Sequence, residues 1–395
     1  MLDLVSSAFG LVTVFIVSAN SLLMMLAYLS KSHPVKTPSE DCGRYPSVTV
    51  VVPAYREGPY IHYVLQSLKE VRYPRDKLRL IIVGESGDSD TYGEVLKICE
   101  VRGQHLNCGG VEGSYLENSS GVRSKPAALN YALRYVDSEI LAVYDAEDTI
   151  HPDHVLAAVE LLGSSDVAAI QFVREVASVS SKLSGAQVAD FHFYYRILQP
   201  YIARKTGLAE ICGSAFFIKT RYLVSVGGFN STSPTEDLDL TYRIGARGWR
   251  VLIALPPSTT RPIARASSLV RQRARWIRGG LLSIPAGLKA LPRSLPLLLV
   301  TGFMPLTAVT STVAVAAGFV GLLSGFDMTL FRQVFLALVT ACSLSFLLVI
   351  LAAPKEKAVL KYLVVMSAIY YLASWRAVVE LLTAPRAWTK SDSKA

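Results

Sequence analysis

The 395-residue chain contains neither a Gly-x-Gly-x-x-Gly run nor a Gly-x-x-x-x-Gly-Lys-Ser/Thr run. Those loops let backbone N–H groups cradle phosphates, so their absence argues against a dinucleotide enzyme and a P-loop ATPase. Cysteine offers no framework either. Cys42, Cys99, Cys108, Cys212 and Cys342 show no paired metal spacing and no disulfide pattern, so reduced thiols in a cytosolic domain are expected. Asn and Gln are scarce, at five and seven residues, as in thermophilic proteins, and a source of that kind would admit a Cys99–Cys108 disulfide instead. No basic run is interleaved with aromatics as in single-strand binders, so the net charge of +9 does not point to nucleic acid. Attraction to anionic lipid head groups fits it better.

What the chain has in excess is apolar sequence, and it lies at the two ends. Residues 4–29 carry no charge over twenty-six positions, enough for the ~20 residues that cross a bilayer. A cleaved signal peptide would have a basic start and a shorter apolar core. Asp3 is the only early charge, so residues 1–30 read as a retained anchor. Further apolar stretches cover residues 295–324, 334–353 and 362–382, the last interrupted by Arg376 and Glu380. Four spanning helices are expected. The stretch 295–324, which contains Pro305, is either a tilted span or a kinked or re-entrant one. Most of the 40 Lys and Arg residues lie between Lys31 and Arg293, which by the positive-inside tendency places that region in the cytoplasm of a multi-pass cell-membrane protein. Residues 31–46, polar and holding three prolines, read as a linker, and residues 385–395 as a polar tail.

Between the ends, residues 48–53 form a β-type run and residues 61–71 have helical spacing at Ile61, Val64, Leu65 and Leu68. Residues 78–83 read as a strand, 92–101 and 125–135 as helices, and 139–144 as a strand. Alternation at this pace predicts a parallel, doubly wound α/β sheet. Ligands of such sheets bind at the carboxyl ends of the strands, which here are Pro53-Ala-Tyr-Arg-Glu57, residues 84–90 and Asp145-Ala-Glu-Asp148. Residues 186–203 and 277–291 have the makeup of helices in the head-group plane, with burial in the sheet domain as the alternative.

Asp145, Glu147 and Asp148 crowd three carboxylates behind an apolar strand. Their repulsion calls for a cation, and Mg²⁺ or Mn²⁺ bridged to substrate phosphates is the usual answer; a solvated acidic turn is the plain alternative. Lys125 starts a helix whose N–H groups and ammonium together could face a phosphate, unless it is an ordinary surface lysine. Glu85, Asp88 and Asp90 could bind a base or ribose, or cap the next helix. Thr235-Glu236-Asp237 can present a base at a helix start, or serve only as its N-cap. Gln272, Arg275 and Trp276 place an amide, a guanidinium and an indole within two helical turns. Guanidinium binds diphosphate bidentately and indole stacks on a sugar ring, although a basic helix anchored at a lipid surface has the same residues. Together these groups make the inventory needed to move a sugar from a nucleotide diphosphate to an alcohol.

Read in order, residues 53–57, Glu85, Ser124-Lys125-Pro-Ala-Ala-Leu-Asn130, Asp145-Ala-Glu147, Cys212-Gly213-Ser214, Thr235-Glu236-Asp237 and Gln272-Arg-Ala-Arg275-Trp276 resemble the family 2 glycosyltransferases. More narrowly they are similar to the membrane-integrated branch that includes cellulose, chitin and hyaluronan synthases and ceramide glucosyltransferase. The match runs over residues 48–280. The resemblance implies a cytosolic GT-A domain over residues 47–260, an interfacial region over 261–293 and transmembrane helices over 294–384. It also implies a nucleotide-sugar donor, usually a UDP-sugar, a divalent cation and inversion at the anomeric carbon.

By the same resemblance Ala54, Tyr55, Glu57 and Glu85 bound the nucleoside, and Lys125 and Arg275, with Gln272, hold the diphosphate. Asp145 belongs to the donor motif and shares the metal with Glu147. Asp237 is the general base, and Glu236, Trp276, Cys212, Gly213 and Ser214 serve the acceptor side. The chain departs from the family pattern at Arg56, where Asn is usual, at Glu85, where Asp is commoner, and at Glu147, which replaces the second Asp of Asp-x-Asp. Ala209 and Glu210 stand where cellulose synthases carry an aromatic pair, and the spans are few for a secretion channel. The expected acceptor is therefore a lipid, a lipid-linked sugar or a short glycan, with a processive polysaccharide synthase as the rival. A transporter or scaffold with a degenerate sugar-binding domain would lack the base and the metal carboxylates, and both are present.

Overall fold

The computed structural model describes residues 2–36, 43–324 and 357–383, with single positions at 329, 333, 336 and 340. Its centre is a nine-stranded sheet: β1 Val48–Pro53, β2 Leu78–Gly84, β3 Glu100–Arg102, β4 His105–Cys108, β5 Val111–Glu117, β6 Ile140–Val143, β7 Val167–Val176, β8 Phe216–Lys219 and β9 Arg250–Thr260. The order across it is β3-β4-β5-β2-β1-β6-β8-β7-β9. β5, β2, β1 and β6 form a parallel block, and only β4 and β8 run against the other strands. β1 and β6 are β-branched and aliphatic because both of their faces are covered. On one face the helices Ile61–Lys69 and His154–Leu161 contribute Leu65, Leu68, Val155 and Ala158. On the other, Leu129, Ile202 and Leu240 meet Leu23 and Ala27 from the end of the Leu2–Leu29 helix.

Several expectations need correction. The helix expected at 92–101 runs Ser89–Ile98, because Asp88 caps it through the Thr91 N–H and because Cys99 is extended. Glu100 to Arg102 then pair as an edge strand. Cys99 is disulfide-bonded to Cys108 across β3 and β4, so those two thiols are not reduced, while Cys212 is free. The short strands β3 and β4 had no legible period, and neither they nor the seven-residue β5 were foreseen. The described part of the linker is pinned as well: Val35 N–H donates to Ile253 O at 2.8 Å and Val35 O accepts from Leu255 N–H at 3.0 Å along β9.

Two described helices are long and apolar enough to cross a membrane, Ser7–Leu29 and Val364–Thr383. A third span results if Leu295–Phe303 and Leu306–Gly321, bent by 53° at their break, count as one. The bend falls at Pro305, whose missing N–H cannot continue the ladder, as the kinked reading required. The stretch expected at 334–353 lies outside the described residues, so the described chain carries two or three such spans, not four. Residues 186–203 are packed inside the protein: Ala186, Ala189, Leu198 and Ile202 are buried in the helices Lys182–His192 and Gln199–Thr206 and the π-turn Phe193–Leu198 between them. Around 277–291, by contrast, Leu282, Leu288 and Leu291 stay exposed.

Candidate active site

A cleft of about 1410 Å³, counting its open mouth, lies at the carboxyl ends of β1, β2, β6 and β7. Ala54, Tyr55, Glu57 and Glu85 line one end of it, Lys125, Asp145 and Glu147 its floor. Gly213, Glu236, Asp237, Gln272, Arg275 and Trp276 line the remaining walls. Cys212 and Ser214 sit behind the lining and support it. The Cys212 N–H donates to Gln171 Oε1 at 2.8 Å, and Ser214 Oγ accepts from the Asp145 N–H at 2.8 Å.

At the end of the cleft lined by Ala54, Tyr55 and Glu57, Arg56 has φ +55°, a left-handed conformation that Asn adopts readily and Arg does not. Its N–H is held at 2.5 Å by Asp88 Oδ2, and the same carboxylate binds Thr91 Oγ1 at 2.7 Å. Asp88 is therefore committed to shaping the loop and capping the helix. Glu85 remains in the cleft wall, where Asn118 Nδ2 donates to its Oε1 at 2.8 Å.

Two of the three crowded carboxylates, Asp145 and Asp148, are compensated by protein cations. Lys125 Nζ lies 2.5 Å from Asp145 Oδ1 and 2.7 Å from Gly213 O. Burial would lower this ammonium, but the charges of Asp145, Glu236 and Asp237 outweigh it and hold its pKa raised. Asp148 is fully buried, takes both oxygens to Arg174 Nη2 at 2.9 and 2.7 Å, and accepts from Ser214 Oγ at 2.5 Å. Burial pushes Asp148 up and Arg174 pulls it back; the two-oxygen contact marks an ionised pair. The start of the Lys125–Leu133 helix offers less to an anion than expected. Pro126 has no N–H and the Ala127 N–H goes to the capping Ser124, which leaves the ammonium as the main anion ligand.

Asp237 stands in the first turn of the Glu236–Ala246 helix and accepts the Leu238 N–H at 2.9 Å. Gly213, at φ +77°, lets it approach, since a Cβ there would lie 2.8 Å from Asp237 Oδ2 and 3.5 Å from Lys125 Nζ. Burial raises the pKa of Asp237 against the pull of Lys125 and Arg275. Burial and the Asp237 charge push Glu236 up to about 7. Thr235 makes no side-chain cap bond, so this turn is not explained as an N-cap; its Oγ1 is buried against Gly279 instead.

Gln272, Arg275 and Trp276 project from the Ala266–Leu282 helix. Arg275 Nη1 donates to Pro234 O at 3.2 Å, tying this helix to the Asp237 turn. Gly279 and Gly280 permit the approach: Cβ atoms there would meet Thr235 Oγ1 at 2.2 Å and Thr301 O at 2.2 Å. Sequence reasoning missed Arg174, Arg123, Arg261, Gln187 and Phe191, all of which line the cleft. Arg174 had one legible signal, an arginine that follows the mostly apolar run of residues 167–173 in its strand. The others carry no local pattern.

Among the described residues no group of three or more His, Cys, Asp or Glu side chains could cage a metal ion. Asp145 and Glu147 are two hard oxygen donors on one cleft floor, which suits Mg²⁺ or Mn²⁺ held by one or two carboxylates plus substrate phosphates.

The sequence model of the family described as "Glycosyltransferase like family 2" matches residues 46–279. A beta-monoglucosyldiacylglycerol synthase of Synechocystis sp. is 27% identical over 269 residues, covering 67% of this chain and 54% of that protein. A probable glucomannan 4-beta-mannosyltransferase 7 of Oryza sativa subsp. japonica is 25% identical over 261 residues, covering 63% and 43%. The chain thus spans about half the length of the curated relatives it matches. Mannosyltransferase PcManGT of Pyrobaculum calidifontis, solved in complex with GDP-Man and Mn²⁺, has the same fold, with a TM-score of 0.66 at 22% identity over 97% of this chain and 99% of that one.

Proposed function

Because the chain belongs to glycosyltransferase-like family 2, we propose that it is a membrane-bound inverting glycosyltransferase that moves a sugar from a nucleoside diphosphate sugar to a lipid, lipid-linked or short glycan acceptor. The observation that carries this reading is the junction at Gly213. There Lys125, bound to Asp145, and the carboxylate of Asp237 converge on one glycine at the boundary between the strand-end loops and the Gln272 to Trp276 helix. A diphosphate leaving at Lys125 and Arg275 and an acceptor hydroxyl at Asp237 would then be neighbours in the cleft.

In the proposed reaction Asp237 removes the proton of the acceptor hydroxyl as its oxygen attacks the anomeric carbon, and the glycosidic C–O bond to the diphosphate breaks in the same step. The raised pKa of Asp237 suits a base working near neutral pH. Lys125 and Arg275 stabilise the charge that grows on the leaving diphosphate. Mg²⁺ or Mn²⁺ on Asp145 and Glu147 would neutralise part of that charge. A uridine donor is the expectation, with Ala54, Tyr55, Glu57 and Glu85 around the nucleoside. The exposed leucines beside the Ala266–Leu282 helix and the apolar helices at both ends favour an acceptor presented at a lipid surface. The catalytic face is taken as cytoplasmic, where nucleotide sugars are found.

The test is release of nucleoside diphosphate by the detergent-solubilised protein across UDP- and GDP-sugars, with Mg²⁺ or Mn²⁺, with and without lipid extract. Donor-specific release that requires lipid is expected. Asp237→Asn should lower it by about 10²–10⁴-fold while donor binding is retained. Full turnover in that variant removes Asp237 from the role, and no release with any donor overturns the reading.

A further inference from the structure

The first two residues of the Gln272-Arg273-Ala274-Arg275-Trp276 run behave differently from what their order suggests. Gln272 faces the cleft, whereas Arg273 is 1% exposed and points away from it. Its guanidinium is gripped from three sides. Nη2 donates to Asp190 Oδ2 at 2.8 Å, Nη1 donates to Gln272 Oε1 at 2.5 Å, and the group lies 4.0 Å from the centroid of the Trp276 ring. Asp190, on the Lys182–His192 helix, also accepts from Tyr370 OH at 3.3 Å on each oxygen. Tyr370 belongs to the Lys357–Thr383 helix, one of the candidate membrane spans.

We propose that Arg273 is a positioning residue for the acceptor subsite, and that Asp190 and Tyr370 make its position depend on the docked carboxy-terminal membrane helix. Three residues distant in sequence thereby set where the indole of Trp276 and the amide of Gln272 stand. This rests on the transferase reading above for what the cleft binds, but not for the network itself.

The physical case is the cost of burying a guanidinium. Such an ion stays buried only where its charge is met, and Asp190 meets it: Nη1 and Nη2 are bonded while Nε is buried without a partner, so the orientation of Arg273 is defined by Asp190. A planar cation at 4.0 Å from an indole fixes the ring's tilt, and by taking the Gln272 oxygen it leaves the Gln272 amide N–H groups as the donors a ligand can use. Asp190 in turn is shared with Tyr370. The helix that carries Tyr370 is seated closely: Met366 and Ile369 pack with Leu269 and Ala186, and Ala373 and Ala377 with Ala274 and Ile277. Gly185 has no room for a Cβ, which would fall 2.4 Å from the Tyr362 ring. Farther along, Arg278 and Glu380 make a second tie at 3.4 Å. The membrane helix is thus fastened to the same helix that carries Gln272 and Trp276, close to the cleft wall formed by Gln187 and Phe191.

The test compares Arg273→Lys, Asp190→Asn and Tyr370→Phe with the wild type in detergent. Two quantities are read: the fluorescence owed to Trp276, taken as the difference between each protein and its own Trp276→Phe counterpart, and the separate KM values for acceptor and donor. Arg273→Lys keeps a charge but loses the planar fork and the stacking. It should shift the Trp276 signal and raise the acceptor KM by about tenfold, with nucleoside diphosphate affinity changed by about threefold or less. Tyr370→Phe, which removes only a hydroxyl, should act in the same direction and more weakly. A Trp276 signal and an acceptor KM unchanged in every folded variant overturn the proposal. If Arg273→Lys does not fold, Tyr370→Phe and Asp190→Asn decide it alone. The fluorescence needs no turnover, so a wild type inactive with every donor counts against the transferase reading while the Trp276 signal still decides the network.

Discussion

The two sides of the cleft are held together by different means. On the side of Glu85, Lys125 and Asp145, the charged groups sit on loops near the strand ends, and the helix caps among them are local: Asp88 caps its own helix and Ser124 caps that of Lys125. The pairs that bridge elements there, Lys125 with Asp145 and Asp148 with Arg174, lie at the ends of strands the sheet already aligns. On the side of the Ala266–Leu282 helix, the charge pairs that join elements span far longer stretches of chain. Arg273 finds Asp190 from 83 positions away and Arg278 finds Glu380 from 102, on helices that no sheet brings into register. A sheet aligns its strand ends through backbone hydrogen bonds, whatever the side chains. A helical layer must use the side chains themselves, and here it uses buried charge and glycine.

Three perturbations would sharpen that contrast. The largest effect on stability should come from Asp148→Ala, which leaves the buried Arg174 without its carboxylate. A loss of roughly 3–5 kcal/mol is expected in denaturant unfolding. A much smaller loss would mean that Arg174 reaches water or another carboxylate, and that the donor floor is not held by this pair.

Next comes Gly279→Ala, where the added methyl would meet Thr235 Oγ1 at 2.2 Å and Cγ2 at 2.4 Å. The helix that carries Arg275 and Trp276 must move away from the Asp237 turn at an overpacking cost of about 1–3 kcal/mol. Turnover should fall by about tenfold to 100-fold, with nucleoside binding at Glu85 little changed. Equal losses in both would show that the two sides are not separable.

The smallest effect concerns Glu210, on the acceptor side. Its Oε2 accepts from Tyr194 OH, and burial pushes its carboxyl up to about 8 from an ordinary value of 4.5. A carboxyl raised on folding contributes stability that is complete below its unfolded pKa and is lost as pH rises through the folded one. The melting temperature of the wild type should therefore decline between pH of about 4.5 and 8 more steeply than that of Glu210→Gln. Parallel curves for the two proteins would show that Glu210 ionises freely.

Legibility in the sequence followed the same division. Three strands of the parallel block, β1, β2 and β6, were readable because they are buried on both faces and so carry near-continuous apolar runs. The strand-end loops followed from it, since a parallel sheet dictates where its ligands bind. The disulfide hairpin and β5 escaped because three- and four-residue strands show no period, and because β5 carries Gly113 where Leu80 O would meet a Cβ at 1.7 Å. Arg273 was invisible for a different reason. In sequence it is one basic residue among four in a helix, and nothing local tells a buried guanidinium from a solvated one.

By itself, then, the order of residues determined the α/β class, the apolar ends and many, though not all, of the side chains that meet in the cleft, because periodicity and turn chemistry act over short distances. Tertiary structure alone decided that Asp148 neutralises Arg174 and is not a free third carboxylate on the cleft floor, and that Asp237 can stand against Gly213. It also decided that the apolar Lys357–Thr383 helix meets Asp190 through Tyr370, and that Asp190 in turn binds Arg273 beside Trp276. Each of those outcomes depends on which partner a buried charge or a missing side chain meets across the fold, and that partner is chosen by packing, not by neighbours along the chain.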